Sequence, residues 1–139
     1  MNVLFITGFG PVAPDLGASR AFYIDALGLP LTGEASQLLD GDASYLHTTA
    51  VEGAKHFAVW PLAGAAQSCF GTETWPREVP APQGWIEFDV DDVRAATAEL
   101  TAHGYEVLVA NKTEPWGQTV SRLLGPEGLL VGVAHTPDV

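Results

Sequence analysis

With a single cysteine, Cys69, this chain cannot build an internal disulfide framework, nor a metal centre made of several thiolates. Basic residues are almost as scarce. Six Lys and Arg stand against seventeen Asp and Glu, a formal net charge of −11. Nucleic acid is therefore excluded as a partner, because holding phosphates takes a basic surface. A cationic small molecule, by contrast, would be drawn to an acidic one, although acidity also serves plain solubility. No apolar run approaches the roughly 18 residues that a membrane span needs, so no membrane partner is expected. The apolar start, MNVLFITGFG, lacks the basic leading segment and small-residue cleavage site of a secretory signal. It reads as a first strand, and the protein as cytoplasmic. The TGFG within it lacks the Lys-Ser/Thr tail of a phosphate loop.

What is present is a globular composition, 47% hydrophobic and 17% charged, in 139 residues. That suits one domain spanning residues 1–139. The same order of elements occurs twice. In module one, residues 1–60, an apolar strand near 3–10 precedes a turn at Pro14-Asp15 and a helix near 17–27. Its stripe is Ala21, Phe22, Ile24, Ala26 and Leu27, and Gly28 stands at its C-terminal cap. Strands near 30–34, 43–49 and 55–60 follow, separated by Gly- and Asp-containing turns. In module two, residues 84–139, GWIEFDV alternates as a strand, and DDVRAATAELTAHG makes a helix capped by Asp91 or Asp92 and ended by Gly104. Strands near 105–110, 117–124 and 129–135 complete it. Each half is β-α-β-β-β, an α+β architecture. Between them, residues 61–83 carry four prolines and read as a long linker, with Trp75 as an anchor and Cys69 as a small apolar contact.

The repeated modules, FYIDALGLPL in the first, WIEFDVDDVRAA in the second and LLGPEGLLVGV at the end, resemble the vicinal oxygen chelate superfamily, which includes glyoxalase I, extradiol dioxygenases and bleomycin resistance proteins. The resemblance implies two curled sheets around a shared cavity, and a homodimer. Enzymatic members hold a divalent metal with one His or Glu from each of four strands. Carried over, those positions fall at Gly8, Trp60, Trp85 and Gly132, none of which can ligate a metal. The resemblance therefore implies neither metal nor cofactor here. Strand alternation turns Trp85, Glu87 and Asp89 inward, together with His56, Ala58 and Trp60, and Leu130, Gly132 and Ala134.

Two tryptophans and two glycines in place of ligands suggest an aromatic, acidic cavity for a planar or cationic organic molecule. On this reading Trp60, Trp85 and Trp116 stack on the ligand, Glu87 and His56 supply polar contacts, and Gly8 and Gly132 leave room. Trp116-Gly117 also resembles the bleomycin-binding members. The expected function is metal-independent sequestration of an antibiotic or metabolite. The alternative is a lyase, isomerase or hydrolase with Glu87 or His56 as general base, with or without a metal. Two further readings stay open: a metal site of His47, His56 and Glu87, and a scaffold whose tryptophans fill the cavity by packing on glycine. Glu87 equally admits an internal pair with Arg122 or His56. His103 suits a helix C-terminus, and His135 lies in a last strand that could border a dimer partner.

Overall fold

Apolar residues recurring every second position, interrupted by capped helices, give the described residues eight strands and three helical segments. The structure is a computed structural model and describes residues 1–35 and 44–138. In order these are β1 (Val3–Ala13), α1 (Leu16–Arg20) widening into a π-helical turn (Ala21–Ala26), β2 (Thr32–Ala35), β3 (Ser44–Thr48), β4 (Phe57–Pro61), α2 (Leu62–Phe70), β5 (Gly84–Val90), α3 (Val93–Ala102), β6 (Val107–Thr113), β7 (Thr119–Leu124) and β8 (Leu130–His135). Asp15 caps α1 by accepting from the Ala18 amide, and Asp92 caps α3 by accepting from that of Ala95, each at 3.0 Å. Gly28 and Gly104, at φ 72° and 91°, turn the chain out of the two helical segments. The turn expected near residues 40–42 lies outside the described residues.

The strands form one curled, unclosed sheet in the order β2-β3-β4-β1-β5-β8-β7-β6. β1 and β5 run antiparallel at its middle, with β4 parallel beside β1 and β8 parallel beside β5. The two halves thus repeat one layout about the β1–β5 seam. On the outer face, Leu31, Leu46 and Val59 pack with Tyr23 and Ile24 of the first helical segment, and Val90 and Val133 pack with Val93 and Ala96 of α3. The inner face carries Val12, Ala58, Trp60, Trp85 and Leu130. This division follows the alternation read from the sequence.

Residues 61–83, expected to be a linker, begin with a helix. Pro61 at the N-cap presets the entry, and Gly71 in the left-handed region at φ 75° ends it. Between them LAGAAQSCF buries Gly64, Ala65, Ala66, Ser68 and Cys69. Such small side chains let α2 approach closely, and Ala65 and Cys69 join the inner core with both tryptophans. Further on, Trp75 packs edge-on against Phe70 at 4.9 Å and donates to the Val79 carbonyl at 2.9 Å. Among the described residues no helix is long and apolar enough to cross a membrane.

β1 and β4 approach very closely at Gly10, where an added Cβ would lie 2.8 Å from the Ala58 carbonyl carbon and closer still to its oxygen. Gly17, on an exposed helical turn, has no such neighbour nearer than 3.5 Å. Gly10→Ala should therefore cost about 3 kcal/mol, whereas Gly17→Ala should be neutral or stabilise by up to about 1 kcal/mol. Urea denaturation of the two variants checks this; equal midpoints would refute the β1–β4 register.

Candidate functional site

Where β1 and β5 meet, their register fixes which side chains converge. Gly8 pairs with Glu87, and Glu87 in turn with Gly132 on β8. On the other side of β1, Gly8 lies beside His56: an added Cβ would stand 3.0 Å from the His56 carbonyl oxygen and 3.2 Å from its Cβ. One level of the sheet therefore reads His56, Gly8, Glu87, Gly132. Trp85 instead pairs with Gly10 and Leu130, and Trp60 with Val12. The four positions carried over as ligand sites, Gly8, Trp60, Trp85 and Gly132, thus do not share a level.

Trp85 reaches across β1. Its Nε1 donates to the Ala58 carbonyl of β4 at 3.0 Å, and the indole passes over Gly8, whose added Cβ would lie 3.0 Å from the Trp85 ring. Trp85 and Trp60 meet edge-to-face at 6.0 Å and are 4% and 7% exposed. Both indoles belong to the core, so Gly8 makes room for packed protein.

Glu87 is buried and forms an ion pair with Arg122 of β7. Burial works against the Arg122 charge, but the Glu87 carboxylate and its hydrogen bond overcome this and raise the guanidinium pKa. The other Glu87 oxygen accepts from Gln118 Nε2 at 2.8 Å, and Gln118 also donates to Thr136 Oγ1 at 2.9 Å. Arg122 stacks over the Trp60 ring at 4.7 Å, and its Nε donates to Ser68 Oγ on α2 at 3.0 Å. Ser68 passes the connection on: its hydroxyl donates to Glu114 Oε1 at 3.1 Å, and its carbonyl accepts from Lys112 Nζ at 2.9 Å. Gly132 clears space for the pair, since an added Cβ would lie 2.8 Å from Glu87 Cγ and 3.4 Å from Arg122 Nη1. Trp116, 55% exposed, touches the network's edge through Nε1 and Gln118 Oε1, 3.1 Å apart.

Beside this closed centre lies a more open group. Tyr45 Oη and His56 Nε2 are 2.5 Å apart, and either can donate according to the histidine tautomer. Their rings stack with that of His47, at 5.4 Å from Tyr45 and 5.7 Å from His56. All three are partly exposed. Burial and then the neighbouring His47 lower the His56 pKa against the opposing pull of Glu87, so the ring is neutral at pH 7. Burial, followed by Glu87, raises that of Tyr45, which stays a phenol. Cys69 is buried and its thiol is pushed up to about 11, which leaves it unreactive.

The sequence reading missed Tyr45, Gln118, Ser68 and Glu114. Tyr45 had a usable signal, because it stands two residues from His47 and so shares its strand face. Ser68 lay in a stretch read as a linker, and only the placement of α2 brings it to Arg122.

The chain belongs to the Glyoxalase/Bleomycin resistance protein/Dioxygenase superfamily, whose sequence profile matches residues 9–133. No curated protein sequence matches it. Among solved structures it is similar to a variant of the methylmalonyl-CoA epimerase of Streptomyces coelicolor in complex with 2-nitronate-propionyl-CoA, with 20% identity over 99% of this chain and 98% of that one and a TM-score of 0.59. It also resembles the methylmalonyl-CoA epimerase of Mycobacterium tuberculosis (16% identity, 95% and 87% covered, TM-score 0.58). A superfamily member from Vibrio splendidus 12B01 matches at 14% identity, 92% and 96% covered, with a TM-score of 0.55.

These findings correct the expected function. Sequestration of a cationic or planar ligand required an open aromatic cavity with Glu87 available to a ligand. Glu87 is instead held by Arg122 and Gln118, both indoles are packed under α2, and the structures similar in fold include methylmalonyl-CoA epimerases, which are enzymes. The divalent metal of enzymatic members does not fit the converging level either. Two of its four residues are glycine, and the guanidinium lies against the single carboxylate. Among the described residues no group of three or more His, Cys, Asp or Glu could hold a metal.

Two outcomes follow. Arg122→Ala leaves Glu87 buried without its counter-charge and should cost about 3–5 kcal/mol, whereas Arg122→Met combined with Glu87→Leu should recover most of it. Urea midpoints of the single and double variants measure this, and an additive loss would show that the pair is not a unit. The depressed His56 pKa also sets a sign. Above its ordinary value of 6.5 both folded and unfolded states hold the ring neutral. As pH falls below that, only the unfolded chain takes up the proton readily, so stability drops. Wild type should lose stability as pH falls below 6.5, and His56→Gln should flatten that part of the curve.

Proposed function

We propose that the protein is an enzyme of the isomerase or lyase kind that moves a proton on a small organic molecule, with His56 as general base. The Tyr45–His56 contact carries this reading. It joins a neutral imidazole to a phenol at 2.5 Å, on partly exposed side chains, at the edge of the inner face. Neutral His56 takes the proton, and Tyr45 holds the ring and hands a proton back. Glu87, the other candidate base, is engaged by Arg122 and Gln118 and serves to position them. The epimerases of similar fold support proton transfer as a chemistry this architecture accommodates. Their coenzyme A esters are not carried over, because a net charge of −11 repels a polyphosphate.

Proton transfer at carbon leaves a mark in heavy water. Incubated in D2O with a panel of small 2-oxo acids, 2-hydroxy ketones and thioesters, the wild type should exchange a C–H for C–D in at least one, read by mass spectrometry. His56→Gln should slow that exchange by about 10²–10⁴-fold, and Tyr45→Phe should shift its pH profile. Exchange that persists in His56→Gln and vanishes in Glu87→Gln would transfer the role to Glu87.

A homodimer is part of the proposal. Ile6, Phe9 and Phe22 are exposed on the outer side, beside an apolar groove lined by Pro11, Tyr23 and Leu129, and a second copy would cover them. Light scattering should give twice the chain mass of 14.7 kDa; a lone species at that mass would remove the dimer.

A further inference from the structure

The side chains able to move a proton lie on one side of the inner face. Tyr45 and His47, two residues apart on β3, point the same way, and the His56 ring joins them from just before β4, tilted by 20° and 25° to theirs. The described carboxylates across the inner face are engaged. Glu87 is held by Arg122 and Gln118, and Asp89 accepts from Thr7 Oγ1 and from both the amide and the hydroxyl of Thr136. The Glu114 side chain is fully buried against Ser68 and Lys112. Inverting a carbon centre takes a base on one face of that carbon and an acid on the other, whereas a one-sided set returns the proton to the face it left. The described cations are engaged as well: Arg122 is bound to Glu87, Lys112 to Glu114, and Lys55 lies over the Phe5 ring. The charge left by removing a proton from carbon must therefore spread within the substrate, as it does in a dienolate.

His56 and Tyr45 suit that task as a unit. With its proton on Nε2, the neutral imidazole donates to Tyr45 Oη, which leaves Nδ1 as the acceptor and the phenolic hydrogen as a donor. A proton arriving at Nδ1 strengthens the Nε2–H donor, and this polarises the phenol as charge develops on a substrate oxygen.

We propose, resting on the reading of His56 as general base, that the reaction is a 1,3-proton shift along one face of an uncharged β,γ-unsaturated ketone, giving its α,β-conjugated isomer. His56 Nδ1 takes the proton from the carbon next to the carbonyl, and the electron pair passes into a dienolate whose oxygen accepts from Tyr45. Nδ1 then returns the proton to the γ carbon. One C–H bond breaks, one forms and the double bond moves, so no co-reactant is consumed. A net charge of −11 favours an uncharged substrate over an anion.

The probes are cyclohex-3-enone and hex-4-en-2-one, followed by the ultraviolet absorbance of the conjugated product. Wild type should isomerise at least one of them. Tyr45→Phe should lower kcat by about 10²–10³-fold with KM little changed, as loss of one oxyanion donor does. With deuterium placed on one face of the α carbon, NMR should find the label that is retained on the same face of the γ carbon. His56-dependent exchange in the heavy-water panel without isomerisation of either ketone would overturn this inference and leave the base reading standing. Transfer of the label to the opposite face, or inversion of an enantiopure thioester of that panel, would do the same. Absence of both exchange and isomerisation would remove the two together.

Discussion

Arg122 is 1% exposed and Glu87 6%, and neither charge could be kept there without the other. Each remaining hydrogen-bonding atom of the pair asks for a neighbour, and those demands arrange the inner face. Guanidinium Nε requires Ser68, which fixes α2 against the sheet; the second Glu87 oxygen requires Gln118, which ties β5 to the start of β7 and to Thr136. Ser68 then recruits Lys112 and Glu114 from β6 and the residue after it. A single ion pair thus links β5 to β7 across the intervening β8 and, through Ser68, joins α2 to β6.

Glycines are the counterpart of those large groups. Gly8 lets one indole cross β1 to the Ala58 carbonyl, Gly10 lets the Ala58 backbone approach β1, and Gly132 lets a guanidinium and a carboxylate meet beside β8. The volume missing at each position is the volume its neighbour occupies, so the sheet is close-packed where the absent side chains suggested open floor. Polar chemistry is thereby displaced toward β3 and β4, where Tyr45, His47 and His56 keep part of their surface.

Much of this was legible in the chain. Alternation placed Trp85, Glu87 and Asp89 on one face and Ile86, Phe88 and Val90 on the other, because a half-buried strand must sort its residues that way. The Asp91-Asp92 pair announced α3, with Asp92 proving to be the cap, and the repeated element order announced the superfamily. The level of the ligand positions was not legible, and the reason is geometric: sliding a strand by two residues preserves which side chains point inward, so alternation cannot distinguish Trp85 from Glu87 as the partner of Gly8. Nor did α2 show. A helix that buries itself through Gly64, Ala65, Ala66 and Ser68 has no stripe of large apolar residues, and its small residues, with the prolines before and after it, read as loop. The destination of Glu87 was the hardest part, since a carboxylate on an inward face looks the same in sequence whether it awaits a ligand or holds an arginine.

The crossing of Trp85 over β1 also constrains the order in which such a centre can be assembled by single substitutions. A side chain at position 8 meets the indole, one at position 10 meets the Ala58 backbone of β4, and one at position 132 meets the guanidinium and its carboxylate. The glycines must therefore come first, each leaving a vacancy, before the tryptophan and the arginine can occupy them. Once these are seated, a larger side chain cannot enter β1 at position 8 or β8 at position 132 while the bulky residue across from it remains. The architecture acts as a ratchet, in which each seated side chain holds the glycine opposite it in place.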